Sequence, residues 1–343
     1  MIERVKKSIK IAGYPLSLFF LYLTFRDTNI SLIINNLKYV NWSLLFVAAL
    51  LYLGFIAVRA QYQRNNLIYI KENISFSSSI TSVALALFYN VIFPARIGEI
   101  IRSFYLSTRE GLKKASILSY VVVEKLIDFL FMLVLLVILV FFGFRALEVN
   151  RIILIASIIV LVFVCFIFIY SKFNRWIVSF LRFLIPKKYH EPLNRMNISV
   201  LEGFRFYRSA GQILRGVLLL TAGWSLVSGV FLCVSYNYIR VLSLPFYSPL
   251  FFIVFTSLSL AIPSAPAGIG VVHYGLFLSI RLLSNNVLDE RIHLVAAFIL
   301  VLHFFTGIVM DLVVAGGVIL FTKLIKRDAP IKPKELSING NTA

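Results

Sequence analysis

Three stretches of the sequence carry residue types that could do chemistry, and all three adjoin apolar runs. The first is FYNVIFPARIGEIIRSFYL, which brings Asn90, Pro94, Arg96, Gly98, Glu99 and Arg102 close together. Pro94 can open a helix, because its missing N–H costs nothing in the first turn. Arg96, Glu99 and Arg102 then follow one another at a spacing of three along one helical face. An Arg–carboxylate–Arg face carries excess positive charge and suits bidentate contact with a lipid phosphate. An ion-pair cluster fixing the mouth of a hairpin would use the same residues.

The second stretch, SYVVVEKLIDFLFML, holds Glu124, Lys125 and Asp128 at the start of a long apolar run. Glu124 and Asp128 share a helical face and would repel each other at membrane depth unless a cation or proton intervened. Arg96 and Arg102 are the expected partners. The third stretch is PSAPAGIGVVHYG, from Pro263 to Gly275, which no continuous helix would tolerate. Gly268 and Gly270 allow close backbone approach, and amides freed at the start of the next helix favour an anion. His273 lies just beyond, where a lone imidazole beside an apolar helix is ordinarily a packed residue. In the last apolar run, His303 and Asp311 come out about 80° apart around a regular α-helix, too far to pair directly.

No catalytic constellation is expected. The sequence has no metal-ligand spacing, no nucleophile elbow and no P-loop, so neither a metal nor another cofactor is expected. A glycosyltransferase using a lipid-linked donor would place acidic residues in its first outer loop. That loop, RDTNISLIINNLKY, offers Asp27 alone. Cys165 and Cys233 both fall in apolar runs and read as core residues.

The elements that must position these groups follow from composition. Of 343 residues, 60% are hydrophobic and 14% charged, with 34 Lys+Arg against 15 Asp+Glu. A soluble domain is about 45–50% apolar and about 25% charged, so an ordinary soluble enzyme is excluded. The expected fold is an all-α polytopic membrane protein forming one membrane domain over residues 1–325, followed by a short cytoplasmic tail, 326–343. Full spans are expected near 11–25, 40–58, 116–143, 150–170, 213–238 and 292–322. The stretches 76–93 and 246–283 are treated differently. Basic residues flank the first on both sides (Arg59, Arg64 and Lys71; Arg96, Arg102, Arg109, Lys113 and Lys114), so the positive-inside rule returns it to the side it entered from. The second is broken in its middle and sparsely flanked by charge. About six full spans plus two re-entrant helical hairpins from opposite faces result, the pattern an inverted-repeat transporter would show. Both termini and the basic loop 171–212 are then cytoplasmic. Eight full spans, the alternative, would export that loop and the basic segment 94–115. The loop is either a connector or an amphipathic segment lying on anionic lipid headgroups. The net charge of +19 follows from membrane topology, so nucleic acid is not an expected partner.

NVIFPARIGEIIR and VEKLID, followed in order by PSAPAGIGV, resemble the lysylphosphatidylglycerol synthase transmembrane region, a flippase-like membrane family, over roughly residues 10–325. The resemblance implies a protein of the bacterial or archaeal cytoplasmic membrane, similar to the flippase part of multiple peptide resistance factors. Those factors move aminoacylated phosphatidylglycerol to the outer leaflet. On that reading Asn90, Arg96, Glu99, Arg102, Glu124, Asp128, Gly268, Gly270, His273 and His303 contact the substrate. Two departures stand out. His273 occupies a place where the family commonly has Glu, and His303 one where Arg is common; if those residues pair, the pair has been exchanged together. The short C-terminal tail leaves no room for an aminoacyl transferase domain. The leading function is a lipid flippase without catalytic activity. The alternatives are a membrane enzyme or an accessory protein acting on a polyprenyl- or glycolipid. A second copy of the chain or a separate synthase are the candidate protein partners.

Overall fold

The computed structural model describes residues 2–68, 70–143, 173–186, 189–191, 193–194, 197–198, 209–262, 264–284 and 291–325. The expected span 150–170 with Cys165, part of the loop 171–212 (171–172, 187–188, 192, 195–196 and 199–208), Pro263 and the tail 326–343 lie outside the described residues. Among the described residues the ordered elements are all helical. The first six helices are α1 (Ile2–Phe25), α2 (Ile30–Asn35), α3 (Trp42–Leu67), α4 (Phe76–Ile92), α5 (Ile97–Glu110) and α6 (Lys114–Gly143). Then follow α7 (Ala210–Val241), α8 (Ser248–Ser259), α9 (Val271–Leu283), α10 (Ile292–His303) and α11 (Ala315–Ile325). A π-helical stretch, Phe304–Val314, joins α10 to α11.

Two helical hairpins organise the molecule. Helix α4 stops because Phe93 precedes a proline, which disfavours helical geometry, and Phe93 is extended at φ −111° and ψ 143°. Pro94–Arg96 make a single 3₁₀ turn, and Arg96 turns the chain with a left-handed φ of 53° before α5 begins. Many of the buried residues of α4 are small, among them Ser78, Ser79, Ser82, Ala84 and Ala86. Gly98 is required against α4: a Cβ would stand 2.2 Å from the Ala86 carbonyl oxygen. At the open end, the Ser75 N–H donates to Glu110 Oε1 at 3.3 Å, and Lys71 Nζ donates to Glu110 Oε2 at 2.7 Å. The beginning of α4 and the end of α5 therefore lie side by side.

Helices α8 and α9 form the second hairpin around the glycine-rich break. Pro266–Gly268 make another 3₁₀ turn, with Ala267, Gly268 and Gly270 at φ of 57°, 73° and 88°. Gly275 brings α9 onto α8, since a Cβ there would lie 2.0 Å from Ser259 Oγ. The turns Pro94–Arg96 and Pro266–Gly268 pack against each other, so the two hairpins meet tip to tip. Helices α3 and α7 make the most extensive pair, with Gly216 and Gly223 of α7 seated against side chains of α3. Small residues at such a seam let helices approach closely without a hydrophobic driving force.

Among the described residues four helical segments are long and apolar enough to cross a membrane: Trp42–Leu67, Ala210–Val241, Pro266–Leu283 and Ile292–Leu324. Gly13–Phe25, Phe76–Ile92 and Ser248–Ser259 are shorter apolar helices. Large apolar side chains are widely exposed, among them Trp42 at 74%, Phe46 at 68% and Phe141 at 69%. Water would not tolerate so much exposed apolar surface on a soluble monomer; lipid does. One expectation needs correction. The span expected at 40–58 continues without a break to Leu67, which places Arg59, Gln63, Asn65 and Asn66 among buried residues of α3.

Candidate functional site

Six charged side chains from α3, α5 and α6 close into an alternating ring. Arg59 donates to Glu124 Oε1 at 2.6 Å and to Asp128 Oδ1 and Oδ2 at 2.9 and 2.7 Å. Arg102 donates to the other Glu124 oxygen at 2.9 Å, and its Nε lies 2.9 Å from Glu99 Oε2, off the line of the N–H. Lys125 Nζ completes the circuit at 3.1 Å from Glu99 Oε1 and 3.5 Å from Asp128 Oδ2. Each residue bridges two of opposite sign, so the ring carries no net charge. Its members are buried apart from Lys125, whose side chain is 33% exposed. Charges this deep are tolerated only when geometry and hydrogen bonding repay their lost hydration, and the closed circuit supplies both.

Glu124 and Asp128 thus have the cationic partners their spacing demands. Arg102 is one of them, as expected. Arg96 is not: the second is Arg59, which also stacks over Tyr62 with its Cζ 5.2 Å from the ring centroid. Arg96 precedes α5 rather than sharing its helical face with Glu99 and Arg102. Arg102 is ion-paired to two carboxylates, Glu99 and Glu124, rather than standing unpaired. Among the described residues Arg96 makes no ion pair.

The glycine-rich break is tied down by two histidines. The Gly270 N–H donates to His273 Nδ1 at 3.1 Å, which leaves the proton of a neutral ring on Nε2. That Nε2 lies 3.2 Å from His303 Nδ1, and His303 Nε2 lies 2.9 Å from the Ala267 carbonyl oxygen. Every ring nitrogen is satisfied by one consistent set of neutral tautomers. His273 and His303 therefore pair with each other. Two amides of the break are already used: Gly270 donates to His273, and Gly268 donates to the Ala265 carbonyl at 3.0 Å. Gly270 also serves the close approach expected of it, since a Cβ there would stand 2.2 Å from the Ser17 carbonyl oxygen of α1.

Asp311 sits in the π-helical stretch, where its carboxylate accepts from the Tyr52 hydroxyl of α3. The wider winding invalidates the angle expected between His303 and Asp311 on a regular helix. Such insertions frequently mark functional positions.

A cavity of about 710 Å³ runs between these features. Arg59, Glu99, Arg102, Lys125 and Asp128 line one part; Asn90 and Arg96 belong to the first hairpin tip, Ala267 and Gly268 to the second. Tyr52, His303 and Asp311 also line it, and apolar groups such as Phe55, Phe129, Met132 and Phe231 make much of the remaining wall. Of the expected site residues, Asn90, Arg96, Glu99, Arg102, Asp128, Gly268 and His303 reach the cavity. Glu124, Gly270 and His273 stand behind them as supports.

A family model described as the lysylphosphatidylglycerol synthase TM region matches residues 10–316. The chain belongs to this family. No curated protein and no solved structure matches it. All four features, the ring, the two tips and the histidine pair, fall within the matched residues of the family region.

Sequence reasoning missed Arg59, Tyr52 and Asp311 as cavity residues. A signal existed for Arg59: an arginine far inside a helical apolar pattern is a functional position by default. Ending the span at Val58 turned it into a flank. Tyr52 gave no signal, because a tyrosine in an apolar helix is unexceptional.

Proposed function

We propose that this protein moves a polar lipid between the two leaflets of a membrane. The supporting observation is one cavity shared by two helical hairpins that meet tip to tip. Its polar, charged stations are set in largely apolar walls. In bilayers, irregular backbone is tolerated only when buried in protein or lining a cavity. Two broken elements at one cavity match the way transporters build a midplane site. A headgroup would occupy the cavity while its acyl chains remain in lipid. The hairpins would be re-entrant, α4–α5 opening to the cytoplasm and α8–α9 to the outside, with both termini cytoplasmic in a bacterial or archaeal inner membrane. Family membership supports a membrane lipid as substrate, and aminoacylated phosphatidylglycerol, whose headgroup charge depends on the amino acid it carries, is one candidate.

In this reading the ring fixes α3, α5 and α6 as a rigid wall, while the histidine pair holds the second tip. The lipid emerges chemically unchanged. The basic segment 171–212 would rest on anionic headgroups at the cytoplasmic face.

The test is translocation in proteoliposomes containing the purified full chain and headgroup-labelled lipids. Transfer of intact lipid above the protein-free rate supports the reading. A chemically altered lipid would favour an enzyme instead, and no transfer would leave a scaffolding role.

A further inference from the structure

The charge pattern of the cavity goes further than lipid movement and addresses which headgroup is taken, so this inference rests on the translocation reading above. The six-membered ring saturates itself: every member already bridges two opposite charges. It has no net charge to offer a ligand, and withdrawing one member would leave a buried charge uncompensated. Two charged residues lining the same cavity remain outside the ring, Arg96 and Asp311. Among the described residues neither makes an ion pair, with each other or with any third group. Arg96 is nevertheless close enough for its charge to act on the Asp311 carboxylate.

Both residues are held in unusual backbone. Arg96 occupies the left-handed region at the first hairpin tip, a conformation that costs energy for any residue but glycine and recurs at ligand sites. Asp311 lies in the π-helical stretch, and the Tyr52 hydroxyl takes its Oδ1. No donor reaches Oδ2 among the described residues. One side of the cavity thus presents an unpaired guanidinium fork, suited to a phosphate. The other presents a carboxylate oxygen able to accept from an N–H.

We propose that Arg96 and Asp311 form the headgroup site, and that it takes a headgroup carrying one phosphate and one ammonium, with no net charge. A ligand with an unmatched charge would have to enter a largely apolar cavity unpaired, which is strongly disfavoured. An anionic headgroup would leave Asp311 facing negative charge, and a headgroup with two ammonium groups would leave one of them without a partner.

The experiment compares phosphatidylethanolamine, phosphatidylglycerol and lysyl-phosphatidylglycerol, each carrying an isotope label in a chemically unaltered headgroup, in proteoliposomes of the full chain. Their headgroups carry net charges of zero, minus one and plus one. Native mass spectrometry of the detergent-solubilised protein with the same three lipids gives a binding readout. Phosphatidylethanolamine is expected to be moved and retained about tenfold better than either other lipid. Asp311→Asn should shift the ranking toward phosphatidylglycerol, and Arg96→Gln toward lysyl-phosphatidylglycerol. Asp311→Glu keeps the charge and should keep the wild-type ranking. Equal handling of the three lipids by wild type overturns the proposal while leaving translocation intact. A ranking unchanged in both charge-removing variants, with all rates slowed alike, also overturns it and would make Asp311 a coupling-ion or structural residue. If wild type moves no lipid, the translocation reading fails, and the retention ranking alone then decides the headgroup proposal.

Discussion

Arg59 and Glu124 are the residues on which the ring turns, because each joins two helices through short, charge-assisted contacts. Removing one partner of a buried ion pair costs about 3–5 kcal/mol, chiefly through the charge left behind. Arg59→Gln is therefore expected to lower thermal stability in detergent markedly. Adding Asp128→Asn should recover much of the loss, since the ring is then neutral again. A double variant no more stable than the single would show that Arg59 acts by packing rather than by charge. Glu110, at the open end of the first hairpin and outside the membrane, gives a pH-dependent counterpart. Burial pushes its carboxyl up, but hydrogen bonds from Lys71 and Ser78, the Lys71 charge and the Ser75 N–H outweigh this and hold it below its usual value. A group whose folded value is lowered stabilises at neutral pH and loses that contribution as pH falls below the ordinary carboxylate range. Protection factors for amide exchange over residues 71–76, taken relative to the intrinsic rate at each pH, should fall on acidification below about pH 4, and Glu110→Gln should abolish that dependence.

At the scale of elements, the backbone breaks were the most legible features. Pro94 and the PSAPAGIG run announce themselves, since a residue before proline leaves helical geometry and glycine permits positive φ. Both breaks lie where the sequence placed them. What each break does was less legible. The close backbone approach read at Gly270 is realised against α1, whereas its hydrogen bond to the His273 ring was not legible. Partner choice in the ring was only half legible, because helical spacing reveals that Glu124 and Asp128 need cations but not which helix supplies them. The π-helical stretch has no sequence signature of its own, and periodicity arguments carry the wrong pitch across it. A pair of glycines separates packing from propensity. Gly98→Ala forces a Cβ to 2.2 Å from a backbone oxygen, so α4 and α5 must separate and stability should fall. Gly317→Ala meets nothing within 4 Å and should be neutral or stabilising, by roughly 0.5–1 kcal/mol, as for a helix-interior glycine. Equal effects of the two in a thermal-shift assay would contradict the close hairpin contact.

Across the whole molecule, the proposed headgroup path combines membrane-length helices, two hairpins meeting at their tips and the cavity between them. Contact of Lys71 and Ser75 with Glu110 puts both ends of the first hairpin at one end of the molecule. Glu72→Cys and Lys113→Cys should therefore both resist an impermeant thiol reagent applied outside intact cells and both react in inverted vesicles. Opposite reactivities would mean that the segment crosses. The most direct measurement concerns the path itself. Thr256 lines the cavity, and its hydroxyl has no hydrogen-bond partner among the described residues, so cysteine is readily accommodated there. With Cys165 and Cys233 replaced by serine, Thr256→Cys offers one thiol inside the path. A bulky methanethiosulfonate adduct on it should reduce lipid translocation in proteoliposomes to the protein-free rate, and reductive removal should restore it. Undiminished translocation by fully modified protein would contradict passage of the headgroup through this cavity.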